Sequence, residues 1–224
     1  MKLPTAAILG LSLLALAACS GNREGRTVEL PGGGPSEAEQ PNVAPPNFFE
    51  RMLGQDDRQN VGPCPLMGAL YDSSRQVVFA QAGSERYANI AYTGEVEGVR
   101  GLCRYVESDP ITMSMNIDLA FGRGPAATGQ EHAYRYWVAV TRRGRAPIEK
   151  QYFDVNIRFR DGEQVVRRTE EIQRIVIPRA TPETSGENFE ILVGFDLTPE
   201  QLAFNRAGKR FRIDSAVTPA PAAQ

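Results

Sequence analysis

The chain has 224 residues, 42% of them hydrophobic and 23% charged, with a net charge of −2 at pH 7. So even a balance gives no electrostatic reason to expect nucleic acid as a partner, and the length suits one folded domain with extensions. One histidine, His132, and three cysteines without a Cys-x-x-Cys spacing argue against a zinc site and against thiol redox catalysis, so no metal and no cofactor is expected.

The chain opens with Met1-Lys2 and an apolar run, Ala6–Ala18. At about 1.5 Å per residue a helix of that length spans roughly 20 Å, short of a bilayer core of about 30 Å. A basic start, a short apolar stretch and small residues at its end predict a signal peptide over 1–18. Leu16-Ala17-Ala18-Cys19, at its end, resembles the lipobox of bacterial lipoproteins, as found among proteobacterial envelope lipoproteins. The resemblance covers only the signal segment. It implies that Cys19 becomes the first residue of the mature protein and carries the acyl chains. One chain gives marginal membrane residence and several give stable anchoring, so the domain is expected to be held to a membrane without a transmembrane helix. Ser20, not Asp, follows Cys19. By the same resemblance, that points to the outer membrane with the domain facing the periplasm. With Cys19 lipidated, Cys64 and Cys103 remain as an even pair in an exported protein, and a disulfide is expected between them.

Residues 19–61 read as a tether, because "PGGGPSEAEQPNVAPP" carries too little apolar surface to offset its ordering entropy. Within it, Phe48, Phe49, Met52 and Leu53 allow a short helix over 48–54, either packed on the domain or serving as a linear docking element.

The folded part is expected over 62–217. "TMSMNIDLAF" sets Met113, Met115, Ile117, Leu119 and Phe121 on one face, and "YFDVNIRFR" does the same with Phe153, Val155, Ile157 and Phe159. Such period-two alternation predicts strands with one buried and one wet face. Asp161-Gly162 then predicts a hairpin turn into Val165-Val166. Further strands are expected at 76–80, 88–95, 98–106, 134–142, 172–177, 189–196 and 210–217. "GRGPAATG" at 122–129 has no Gly-Lys-Ser/Thr and reads as a hairpin loop, not a phosphate cradle. One helix is predicted near 199–206, with Thr198 as N-cap, Pro199 at the first helical position, Gln201 completing a capping box and Gly208 closing the end. The tail, 218–224, reads as disordered. Short strands at regular spacing predict a mostly β fold, an antiparallel β-sandwich of immunoglobulin-like topology, with a closed barrel as the alternative. The disulfide would tie the first segment to a strand. Because Trp137 follows both cysteines, it would not be the usual inter-sheet bridge.

Signs of catalysis are sparse. No Gly-x-Ser-x-Gly accompanies His132, which reads as an exposed loop residue in "GQEHAY". The carboxylates that could serve a glycosidase are scattered over Glu95, Glu97, Asp118, Asp154, Glu170 and Glu171, and read as a solvated face. In "YRYWVAV", Tyr134 and Tyr136 share one phase and Trp137 takes the other. An aromatic left on the wet side would make a binding patch for a sugar or a protein, set against plain core packing. Arg158, Arg160, Arg167, Arg168 and Arg174 suggest either mixed charge guarding strand edges or an anion-binding patch. The expected function is a non-enzymatic binding or scaffold module for another envelope component, the alternative a carbohydrate- or peptidoglycan-binding or weakly glycan-active protein.

Overall fold

The computed structural model describes residues 60–213, together with the backbone of Arg26–Glu29. The signal segment, Cys19, the expected helix 48–54, the end of the last expected strand and the tail 218–224 lie outside the described residues.

Nine strands and one helix follow in order: β1 Arg26–Glu29, β2 Leu66–Ala69, β3 Arg75–Phe79, β4 Ile90–Arg104, β5 Ile111–Arg123, β6 Glu131–Arg142, β7 Pro147–Arg158, β8 Val165–Ile177, β9 Phe189–Phe195 and α1 Pro199–Arg206. They form two sheets, β1-β8-β5-β4-β3 and β2-β9-β6-β7, neither closed into a barrel. The fold is a β-sandwich. Pairing is antiparallel except for β1 on β8 and β2 on β9. Inside it, β5 pairs with β8 in one sheet and β6 with β9 in the other, while the chain crosses between sheets from β5 to β6 and from β8 to β9. The immunoglobulin fold interlocks its four central strands in the same way. The position beside β9 departs from that plan, because β2 fills it from the N-terminal side in parallel.

Alternation builds the core. Met113, Met115, Ile117, Leu119 and Phe121 all face the opposite sheet and are buried, as are Val155, Ile157 and Phe159, with Phe153 partly buried against them. Each such side chain contributes about 1.5–3 kcal/mol when removed from water. The two strands expected at 88–95 and 98–106 are one, β4, with a bulge between Val96 and Gly98. Val96 pairs with Leu119 and Val99 with Ile117, so Glu97 is the inserted residue. The inward phase changes there from even to odd positions, which breaks the sequence pattern without breaking the strand.

Two turns expected to close hairpins instead cross between sheets. Asp161-Gly162 does turn the chain, with Gly162 at φ +78°, but β7 pairs with β6 and β8 with β5. The loop 124–130 likewise leads from β5 to β6 in the other sheet. Gly124 is needed in it, because a Cβ there would stand 2.2 Å from the Ile90 carbonyl oxygen. Arg26–Glu29, within the expected tether, pairs through its backbone with the edge of β8. An open edge presents unpaired N–H and C=O groups that recruit such a segment.

The helix forms as its capping box dictates. The Thr198 hydroxyl accepts from the Gln201 amide at 3.3 Å, the Gln201 side-chain oxygen accepts from the Thr198 amide at 3.0 Å, and Gly208 ends the turn at φ +74°. Phe204 of α1 joins Val77, Ile90 and Ile213 in a second apolar cluster on the outer side of the first sheet, with Phe79, Val165 and Phe211 against it. Residues 210–213 were expected in a strand. They pair with none, and Phe211 and Ile213 serve that cluster instead.

Cys64 and Cys103 form the expected disulfide, with Cα atoms 5.7 Å apart. It joins β4 of the first sheet to the lead-in to β2 of the second. Replacing both cysteines by Ser is expected to lower stability by about 3–4 kcal/mol for a loop of this size. The urea midpoint of the oxidised protein against the double variant measures this, and coincident midpoints would show that the crosslink contributes nothing.

Candidate functional site

Of the expected site residues, Cys19 lies outside the described residues. The aromatic trio of β6 is described, and it is not a surface patch. Tyr134 and Tyr136 are 2% and 0% exposed and point into the core. The Tyr134 hydroxyl donates to the Thr93 carbonyl at 3.0 Å, and Tyr136 stacks on Phe153 with ring centroids 5.3 Å apart. Burial, with the Tyr92 hydroxyl nearby, pushes the Tyr134 phenol far above the usual range. Trp137 does take the outer phase, yet it is only 6% exposed. Its indole lies over Gly194, where a Cβ would stand 2.6 Å from the ring, and donates to the Phe195 carbonyl at 3.0 Å. Lys150 covers it, with the ammonium 4.2 Å from the ring centroid. A bare glycine on one neighbouring strand and a long lysine stem on the other bury the outward indole.

The exposed aromatic on this face is Tyr152, 47% exposed and paired across the strands with Trp137. Lys150 and Arg135 sit 5.0 and 5.6 Å from its ring centroid. Sequence reasoning passed over it, although "YFDVNIRFR" sets Tyr152 on the wet phase with Asp154, Asn156 and Arg158. Leu66, Leu70 and Ile148 are also exposed on the side of the second sheet turned away from the core, and Leu192 is half-buried there.

His132 is the second residue of β6 and does not lie in a loop. It is half-buried, stacked on Tyr92 at 4.2 Å between centroids and edge-on to Tyr134 at 4.6 Å. Burial holds its pKa below the ordinary histidine value. It therefore stays neutral near pH 7, held between the rings of Tyr92 and Tyr134.

Four of the carboxylates considered for glycoside chemistry, Glu95, Glu97, Asp118 and Asp154, pair with arginines, and Glu170 and Glu171 follow one another on β8. Glu95 faces Arg210 and Arg212, Glu97 bonds Arg167 and Arg212, and Asp154 bonds Arg135 at 3.0 Å. The Thr169 hydroxyl, donating at 2.8 Å, and the Arg100 guanidinium hold Asp118 below the usual carboxylate range. A general acid needs a raised pKa, and the surroundings of Asp118 favour its ionised form. The arginines of 158–174 are divided between the end of β7, the turn after it, where Arg160 lies, and β8, which belongs to the other sheet, so they are not gathered on one face. Among the described residues no group of three or more His, Cys, Asp or Glu is placed to hold a metal ion, and no helix is long and apolar enough to cross a membrane.

The fold and the site define a disulfide-stapled β-sandwich with one outer face laced with arginine–carboxylate pairs and a second where exposed apolar side chains stand beside a few such pairs. Comparison with protein-family models, with curated proteins and with solved structures gives no match.

Trp137→Ala is expected to cost about 3–5 kcal/mol, as for other large aromatics that leave a void. Tyr152→Ala should cost under about 1 kcal/mol, since its ring faces water. Urea denaturation of the two variants tests this, and equal losses would contradict the assigned roles. A lowered His132 pKa means that the unfolded chain binds the proton more readily, so stability is fully present above about pH 6.5 and is lost as pH falls through the lower folded value. The stability of wild type should therefore drop more between pH 7 and pH 5 than that of His132→Phe, which keeps the stack. Parallel pH profiles would rule out the linkage.

Proposed function

We propose that this protein is a lipid-anchored, periplasm-facing envelope protein of the outer membrane, acting as a non-enzymatic binding or scaffold module for another envelope component. The Leu16-Ala17-Ala18-Cys19 signal supports the anchor, with Cys19 as the acylated residue. What carries the binding role is the contrast between the outer faces. The first sheet's is laced with arginine–carboxylate pairs and partly covered by α1 and Phe211–Ile213. The second sheet's presents Leu66, Leu70, Ile148 and Tyr152 to solvent. Confinement to a membrane surface on a leash raises the effective concentration of such a face near its neighbours.

A glycan-directed reading is favoured by one observation, the exposed ring of Tyr152 flanked by Lys150 and Arg135. A sugar face stacks on such a ring, and the flanking cations donate to its hydroxyls.

Crosslinking in living cells followed by mass spectrometry tests the main reading. A specific envelope protein should be enriched over a control lipoprotein, and enrichment should fall with Leu66→Asp or Leu70→Asp. No enrichment would end the scaffold reading, and sacculus binding that depends on Tyr152 would favour the glycan one. Fatty-acid labelling tests the anchor separately: it should vanish in Cys19→Ser.

A further inference from the structure

The turn joining β6 to β7 holds three arginines within four positions, Arg142, Arg143 and Arg145. With Glu187 and Asn188 they line an open concavity of about 570 Å³ at one end of the sandwich. The backbone of this turn is fixed from several sides. Thr141, 2% exposed, brings its hydroxyl within 2.7 Å of the Arg145 carbonyl and 2.8 Å of the Arg142 carbonyl. The Arg145 amide donates to the Arg142 carbonyl at 2.9 Å, and the Arg143 amide to the Asn188 carbonyl at 3.1 Å. Gly144 supplies the left-handed step at φ +69°, with open space around it.

The side chains on this fixed turn are poorly neutralised. Arg143 reaches Glu190 at 3.7 Å, whereas the guanidiniums of Arg142 and Arg145 have no hydrogen-bond or ion-pair partner among the described residues. Arg100, Arg135, Arg158, Arg167, Arg206 and Arg212, by contrast, each face a carboxylate. Three guanidiniums against Glu187 and Glu190 leave the concavity positive. Guanidinium forks match tetrahedral oxyanions in two-point bonds, and holding their backbone in advance lowers the ordering cost of binding.

Position narrows the ligand. The wall that carries Glu187 and Asn188 also packs on the segment leading into the domain, where a Cβ on Gly186 would stand 2.4 Å from the Pro63 carbonyl oxygen. Arg26, seven residues beyond Cys19, pairs with Ile172 of β8, and the strand runs from there toward this same end of the sandwich, so an anchor at Cys19 keeps the membrane within about 25 Å of that pairing.

We propose that Arg142, Arg143 and Arg145 form a phosphate-group site whose occupant is the phosphorylated headgroup of a lipid in the membrane that anchors the chain. The proposal rests on the anchored reading, and its test does not use the anchor. The full mature chain carrying Cys19→Ser, so that no acyl chain contributes, is sedimented with vesicles of phosphatidylcholine alone or mixed with phosphatidic acid. The mixed vesicles should capture it, the neutral ones should not, and added salt should weaken capture. Arg142→Gln with Arg145→Gln should weaken capture about tenfold or more, the scale expected for losing charge-assisted bonds. Arg167→Gln, elsewhere on the surface, should leave it unchanged. Thermal melts of each variant confirm that the domain is folded. A parallel titration with inorganic phosphate separates the sources. Phosphate binding that needs Arg142 and Arg145 without vesicle capture would overturn the lipid assignment in favour of free phosphate. Capture equal in the double variant and its parent, or no response to either probe, would overturn the site altogether. Failure of fatty-acid labelling at Cys19 would instead remove the anchor and leave these results standing.

Discussion

The hydroxyl of Tyr105 gathers three segments at one end of the sandwich. It donates to the Pro63 carbonyl at 2.7 Å and accepts from the Gly186 amide at 3.1 Å. Tyr105 follows β4 in one sheet, while Pro63 and Gly186 lead into β2 and β9 in the other. The ring is 1% exposed, and a buried polar group left unpaired costs about 1–3 kcal/mol. None of the three segments can therefore withdraw without orphaning the others. Asn60 extends the arrangement by accepting from the Tyr105 amide and donating to the Cys103 carbonyl, both at 3.1 Å. The disulfide lies inside this polar network, so covalent and hydrogen-bonded constraints hold the same junction. The parallel pairing of β2 on β9 follows, because both strands leave that junction in the same direction.

Where strand periodicity was clean, the fold was legible. β5 and β7 alternate because each has one face on the core, and the apolar residues that the period names are buried or partly buried; only the end of β5, where Ala120 and Gly122 are buried on the other phase, departs from it. β4 was legible as two pieces because its bulge shifts the inward phase at Glu97. Strand partnership was not legible. Asp161-Gly162 and the loop before β6 have the local chemistry of hairpin turns, and a turn residue fixes a backbone angle, not a sheet. Whether the chain then returns beside its predecessor or crosses the core depends on which face of the next strand is apolar. The capping box at Thr198 was legible in full because all its partners lie within one helical turn.

The site was less legible for a related reason. Alternation correctly set Trp137 opposite Tyr134 and Tyr136, but an outward phase is not the same as exposure. Gly194 and Lys150, which hide the indole, are distant in sequence and become its neighbours only through the registers of β6 with β9 and β7. Tyr152 was readable in principle, as an aromatic on a phase otherwise filled by Asp154, Asn156 and Arg158. The arginine turn was readable as charge but not as a cleft, since its other wall comes from residues some forty positions further on.

The two outer faces offer a partner different energetics. On the first sheet, Asp118 is held by Arg100 and Thr169, and Glu97 by Arg167 and Arg212. Covering such pairs strips water from charges that already satisfy one another, so the desolvation penalty offsets most of the attraction that a partner can supply. On the second sheet, Leu66, Leu70 and Ile148 and the ring of Tyr152 lose unfavourable apolar hydration when covered. The cations there, Lys150 and Arg135, already lie against aromatic rings, so a partner meets them partly desolvated. Association through these apolar side chains therefore costs less per unit area than association through the first sheet's paired charges. The arginine turn stands at the end of that same second sheet, where β6 passes into β7. A domain held to a phosphate-bearing surface through this turn would present the apolar face sideways, within reach of components standing in the same membrane.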